Sequence, residues 1–203
     1  PADRVAATVY RFGVEEFLLL RMKLELNAAN ENLDPEKKLP VQASGTYLYG
    51  APAANNRLIG VAQFKRNSNP LETVLPGFVF GDANEETLNV RQELAEVQLD
   101  AEGKGEVEVD LSAAAKRNSP VNVHATISLL ESGGRPVVRS LERVLWPAQV
   151  LVGVRPLFVG DYARENAPVQ FEVVRAGQDG KLLAASSLPV RLFRENRNYY
   201  WRF

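Results

Sequence analysis

The sequence predicts an all-β fold, an antiparallel sandwich, and three observations predict it. Apolar residues recur at every second position through most of the patterned stretches. Gly, Asp, Ser and Pro clusters punctuate these stretches about every 8–12 residues, as in sandwiches. Helical patterning is confined to a few residues, so less than about 10% helix is expected.

Taken in order, a first strand is expected over Val9–Phe17. In the next, Met22, Leu24 and Leu26 alternate with Arg21, Lys23 and Glu25 and mark a half-buried strand. Strands follow over Val41–Tyr49, Leu58–Lys65 and Leu94–Leu99. Val107, Val109 and Leu111 alternate with Glu106, Glu108 and Asp110, after a turn at Asp100–Gly105 that reads as a short hairpin loop. Val121, Val123, Ala125 and Ile127 form the apolar phase of a strand whose polar phase carries His124. Glu131–Pro136 supplies a Gly-Gly turn with Pro just before the next strand, where its missing N–H matters least. That strand is Val137–Leu145. Ser112–Arg117, with a Ser cap and three Ala, allows one or two helical turns before Asn118 and Pro120 end it. Asp34-Pro35 opens a single turn in a loop.

A boundary is expected at Trp146-Pro147-Ala148, giving domains 1–147 and 148–203. The first has room for seven or eight strands. The second has room for about four, at Val150–Pro156, Val169–Ala176, Lys181–Phe193 and Asn198–Phe203, too few for a sandwich that normally needs about seven. It reads as truncated, and the chain as a piece of a longer polypeptide. One connection is unusually long, Asn67 to Val90. Its Leu75, Phe78, Val79 and Phe80 are too apolar for a free loop and should cover its own sandwich or a neighbour.

Composition narrows the chemistry. Of 203 residues, 45% are hydrophobic and 24% charged, the ordinary globular mix, with a net charge of −1. No excess of basic residues is present to displace counterions from nucleic acid or to hold an anionic membrane. There is no Cys, which removes disulfides, thiolate metal sites and cysteine nucleophiles together. The single His124 cannot form a His pair and reads as a surface residue. Asp82-Ala83-Asn84-Glu85-Glu86 lacks the spacing of a calcium loop and reads as a solvated acidic turn. Gly45–Ala54 has neither a dinucleotide nor a phosphate-loop motif and reads as a strand entering a tight bend of small residues. Tyr199-Tyr200-Trp201 could stack on bases, but the acidic neighbour Glu195 and the neutral chain favour an aromatic strand. No catalytic, cofactor-binding or metal residue is therefore nominated, and no cofactor is expected.

Several strings together are more specific. Phe12-Gly13-Val14-Glu15-Glu16-Phe17 resembles the opening strand of a macroglobulin domain. Gly45-Thr46-Tyr47-Leu48-Tyr49-Gly50-Ala51-Pro52-Ala53-Ala54 and Leu130–Ser140 are similar to stretches of the bacterial alpha-2-macroglobulins. Val152–Phe158 and Tyr199-Tyr200-Trp201 fit the domain that follows in that family. The resemblance runs over essentially the whole chain. It implies consecutive fibronectin-type macroglobulin β-sandwich domains, the second incomplete. It also implies an exported parent, periplasmic and tethered to the inner membrane by a lipid anchor outside this chain. In such a parent, cleavage of a bait segment by an endopeptidase exposes a thioester that traps the protease. The thioester needs a Cys, so it cannot lie here, and no bait segment is identified. Leu18-Leu19-Leu20 stands where the family would have Pro and an acidic residue. The implied role is structural and non-enzymatic. The implied partners are neighbouring domains of the parent and, through the full-length protein only, target endopeptidases. An independent extracytoplasmic binding or adhesion module is the alternative, favoured by exposed coplanar aromatics on one face. An enzyme using a carboxylate pair is the third reading.

Overall fold

The computed structural model describes residues 21–191 except 30–32, 35, 132–134, 161–162, 165 and 186. The strands expected at Val9–Phe17 and Asn198–Phe203, and the Tyr199-Tyr200-Trp201 string, lie outside the described residues. Within them the chain forms ten strands: β1 (Met22–Asn27), β2 (Lys38–Tyr47), β3 (Arg57–Arg66), β4 (Val79–Phe80), β5 (Asn89–Gln98), β6 (Lys104–Asp110), β7 (Val121–Leu130), β8 (Val137–Leu145), β9 (Val150–Pro156) and β10 (Phe171–Gly177).

Seven of these make a sandwich of two antiparallel sheets, ordered β1-β2-β6 and β5-β3-β7-β8. Alternation dictates which face turns inward. On β7, Val121, Val123, Ala125, Ile127 and Leu129 are buried while His124 is exposed. Leu24, Val41, Val107 and Val109 from the three-stranded sheet meet Leu58, Phe64, Val123 and Ile127 from the other in one core. The β1 and β8 edges are tied together by Arg143, whose guanidinium donates to the Ala28 and Ala29 carbonyls at 2.8 and 2.7 Å.

Strands β7 and β8 pair, Leu129 lying opposite Val137, while the Gly-Gly turn expected between them, at 132–134, lies outside the described residues. The turn at Asp100–Gly105 is not the expected hairpin. It carries the chain from β5 in one sheet to β6 in the other, because both strands turn their apolar phases, Leu94 and Val107/Val109, to the same core from opposite sides. Alternation and turn chemistry are identical for the two cases, so only tertiary packing separates them. Two other expectations are corrected. Ser112–Ala114 makes one turn of 3-10 helix, within the one or two turns expected, but Ser112 is not its cap: it is the first helical residue, and its own N–H donates to the Asp110 carboxylate at 2.9 Å. The strand expected over Lys181–Phe193 is, among the described residues, a single bridge between Leu182 and Ala176. The preceding Gln178–Lys181 stretch makes the tight turn expected of it, with Gly180 at φ +76°.

The third sheet is ordered β10-β9-β4. Its β9 and β10 come from the C-terminal part of the chain. Its β4 comes from the long connection after β3, which is therefore neither free nor confined to its own sandwich.

Candidate functional site

His124 lies on the outer face of β7 between its register partners Gln63 on β3 and Glu142 on β8. With Lys65 and Asn122 they line a shallow depression of about 310 Å³. A general-base reading needs a nucleophile beside the imidazole. The lining offers no hydroxyl or thiol for it to activate. Glu142 accepts from the Asn122 amide at 3.3 Å, and further along the same face Thr126 and Ser140 bond each other at 3.1 Å.

The acidic turn 82–86 is organised by backbone groups. Asp82 Oδ1 accepts the Asn84 N–H at 2.9 Å, and Glu85 Oε1 accepts the Asn118 N–H at 2.8 Å. Burial alone would raise the Glu85 carboxyl. Hydrogen bonds from Ser119 and from the Asn118 N–H, with the charge of Arg117, outweigh it and hold the group below the usual carboxylate range. Ser119 is the buried polar anchor of this turn; its Oγ accepts the Asp82 N–H at 3.1 Å. Among the described residues no cluster of three His, Asp or Glu side chains is placed to hold a metal ion.

Gly45–Ala54 is a strand end running into a tight bend. The Tyr47 N–H donates to Ala51 O, the Ala53 N–H donates to Gly45 O, and Gly50 sits at φ +99°. Small residues are required because the turn after β5 presses on this strand. A Cβ on Gly45 would lie 2.8 Å from Leu99 and 2.9 Å from Leu129, and one on Gly103 would collide with the Gly45 carbonyl. The neighbouring Tyr47 and Tyr49 stack on each other, centroids 5.2 Å apart, and so do not lie side by side as a flat binding platform.

The connection from Asn67 is a built structure. The Leu75 N–H donates to Leu71 O at 2.7 Å, the Glu72 carboxylate accepts the Gly77 N–H at 3.2 Å, and the Asn69 amide holds Phe78 O at 3.2 Å. The Phe80 N–H closes it onto Ser68 O at 2.8 Å. Its tip pairs as β4 with β9, Val79 opposite Val154 and Phe80 opposite Gly153. The guanidinium of Arg155 lies 4.6 Å over the Phe78 ring, donates to Pro76 O at 3.1 Å and pairs with Glu172. Sequence reasoning singles out the apolar residues of this connection but not Arg155. The signal for it is a charged residue at an inward position of an otherwise apolar strand, Val152-Gly153-Val154-Arg155.

Two family models match the chain: the bacterial alpha-2-macroglobulin MG5 domain over residues 20–147, and bacterial macroglobulin domain 6 over residues 153–203. An alpha-2-macroglobulin of Xylella fastidiosa is 44% identical over 204 residues, covering 100% of this chain and 12% of the relative. The chain thus spans about an eighth of the length of such relatives. The native conformation of Escherichia coli alpha-2-macroglobulin matches with a TM-score of 0.69 at 36% identity, covering 83% of this chain and 11% of that one. The trypsin-activated form of the same protein matches with a TM-score of 0.68 at 35% identity, covering 81% and 12%. Residues 1–147 are under three-quarters of the chain, so both structural matches run on past the sandwich. With a family model over more than half its length and nearly half its residues shared with a relative, the chain belongs to the bacterial alpha-2-macroglobulin family.

Proposed function

We propose that the chain serves as two successive scaffold domains, 1–147 and 148–203, of a protease-trapping alpha-2-macroglobulin, and that it is not itself an enzyme. One observation carries this reading. The polar groups best placed for chemistry are spent on the chain's own backbone: Asp82 and Glu85 on N–H groups, Ser119 on the acidic turn, and Arg143 and Arg155 on carbonyls. Side chains used this way hold loops in register and leave little to turn over a substrate. That the Escherichia coli relative is activated by trypsin supports an endopeptidase as the target of the full-length protein. On this reading the sandwiches keep bait and thioester regions elsewhere in the parent in register. The parent works in the periplasm, held to the inner membrane by a lipid anchor outside this stretch.

The test is direct. The purified chain is incubated with trypsin or elastase while cleavage of a protein substrate is followed. The expected result is undiminished proteolysis and no adduct on a denaturing gel, since covalent capture needs a thioester sulfur and the chain has no Cys. Stoichiometric inhibition would move activity onto this chain and overturn the scaffold reading.

A further inference from the structure

Among the described residues, β9 and β10 supply only a small part of the third sheet's core. Among the described residues, four are buried in it: Leu71, Phe78, Phe80 and Ala176. Three of the four come from the connection between β3 and β5, and only Ala176 comes from the C-terminal strands. Leu75, also from the connection, Trp146, from the link between β8 and β9, and Leu151 and Val174 pack around them. Gly153 is shaped for this occupant, since a Cβ there would meet the Phe80 ring at 2.6 Å. Among the described residues, β9 and β10 without the connection would pair only with each other, and a two-stranded ribbon is marginal on its own in water.

The other end of the connection is locked to the sandwich. The Asn67 N–H donates to Pro120 O and its amide to Asn122 at 2.8 Å. On the return, Gly81 takes φ +85° and lies so close to Ser119 that a Cβ would come within 2.5 Å of it, while Arg117 holds Glu86 O. The sandwich therefore reaches the third sheet twice, through this strap and through the four-residue link Trp146–Gln149. The two attachments meet where Trp146 tilts onto Phe80, ring centroids 6.0 Å apart. A single short link permits rotation; a second attachment that also supplies a strand and a core removes it.

We propose that residues 67–88 are a donated strand and core plug, on which folding of the third sheet depends and which makes sandwich and sheet one rigid body.

The whole chain serves for the test, and its lack of Cys makes engineered thiols unambiguous. Val79→Cys with Val154→Cys places thiols on antiparallel partners, whose Cα separation of about 4.5–5.5 Å suits a disulfide. Mild oxidation should crosslink this pair almost completely. Val79→Cys with Val173→Cys, two strand spacings apart, should stay reduced. Gly153→Val and Phe80→Ala should each lower the denaturation midpoint of β9–β10, and the double variant should fall by clearly less than the sum, because removing the ring makes room for the new side chain. Residual dipolar couplings from β7 and from β9 should fit one alignment tensor. Two tensors, additive midpoint shifts, or thiols at 79 and 154 that stay free in a folded chain would each overturn the proposal.

Discussion

Val123 and His124 are adjacent on β7 and live in opposite environments. Val123 is 1% exposed between the sheets; His124 stands in solvent. Val123→Asp would bury a carboxylate with no partner and should cost about 3 kcal/mol or more. His124→Ala removes no buried contact and should stay within about 0.5 kcal/mol. Urea denaturation of the two variants checks this, and the reverse order would mean a register shifted by one residue. Glu85 gives a pH signature. Its folded carboxyl titrates below its unfolded value, so the stability it contributes is complete above the ordinary carboxylate range and is lost as the pH falls through the folded value. Between about pH 5 and 3, wild type should lose more stability than Glu85→Gln, measured as the difference in denaturation midpoint. Alternation alone makes the burial of Val123 legible. The Glu85 bond to Asn118 spans 33 positions, and no local pattern announces it.

At the scale of elements, turn glycines separate into two kinds. Gly50 and Gly103 both have positive φ, +99° and +75°. A methyl added at Gly50 would meet nothing within 4 Å, whereas at Gly103 it would strike the Gly45 carbonyl and crowd Ala53 N at 3.0 Å. Gly50→Ala should cost only the left-handed backbone strain, about 1 kcal/mol. Gly103→Ala adds a backbone collision at the crossover between sheets and should cost at least about 2 kcal/mol, read from thermal unfolding of both variants. Strand positions are largely legible in the sequence: period two survives burial of one face in Val121–Ile127 of β7, and the β-branched stretches Val137–Leu145 and Val150–Pro156 coincide with β8 and β9. Strand β5 is legible only from Leu94 onward. Its first residues, Asn89 to Glu93, carry mostly polar side chains to solvent, and a bulge opposite Ile59 breaks the alternation between Leu94 and Val97. Which strands pair is the illegible part, since a crossover and a hairpin can share the same turn residues.

Across the whole molecule, protection is uneven. Strands β3 and β7 are paired on both sides and turn their inner faces into the large core. Among the described residues, the third sheet has a small core on one face only. Its other face carries Val79, Val154 and Val173 in register, with Val152 and Phe171 on the same face, and these are 37–53% exposed. The free energy that resists local opening follows buried apolar contact, so amides of β9 and β10 should exchange through a lower-energy opening than those of β7. Hydrogen exchange under native conditions should show protection factors at Val152 and Val174 at least about tenfold below those at Val123 and Ala125, since about 1.4 kcal/mol of opening energy already gives a factor of ten. Phe80→Ala should widen this gap by speeding β9 and β10 while leaving β7 unchanged, because Phe80 belongs to the small core and not to the large one. Acceleration spread evenly over β7 and β9 would instead mean that sandwich and sheet open in a single cooperative step, with the strap too strong to yield first.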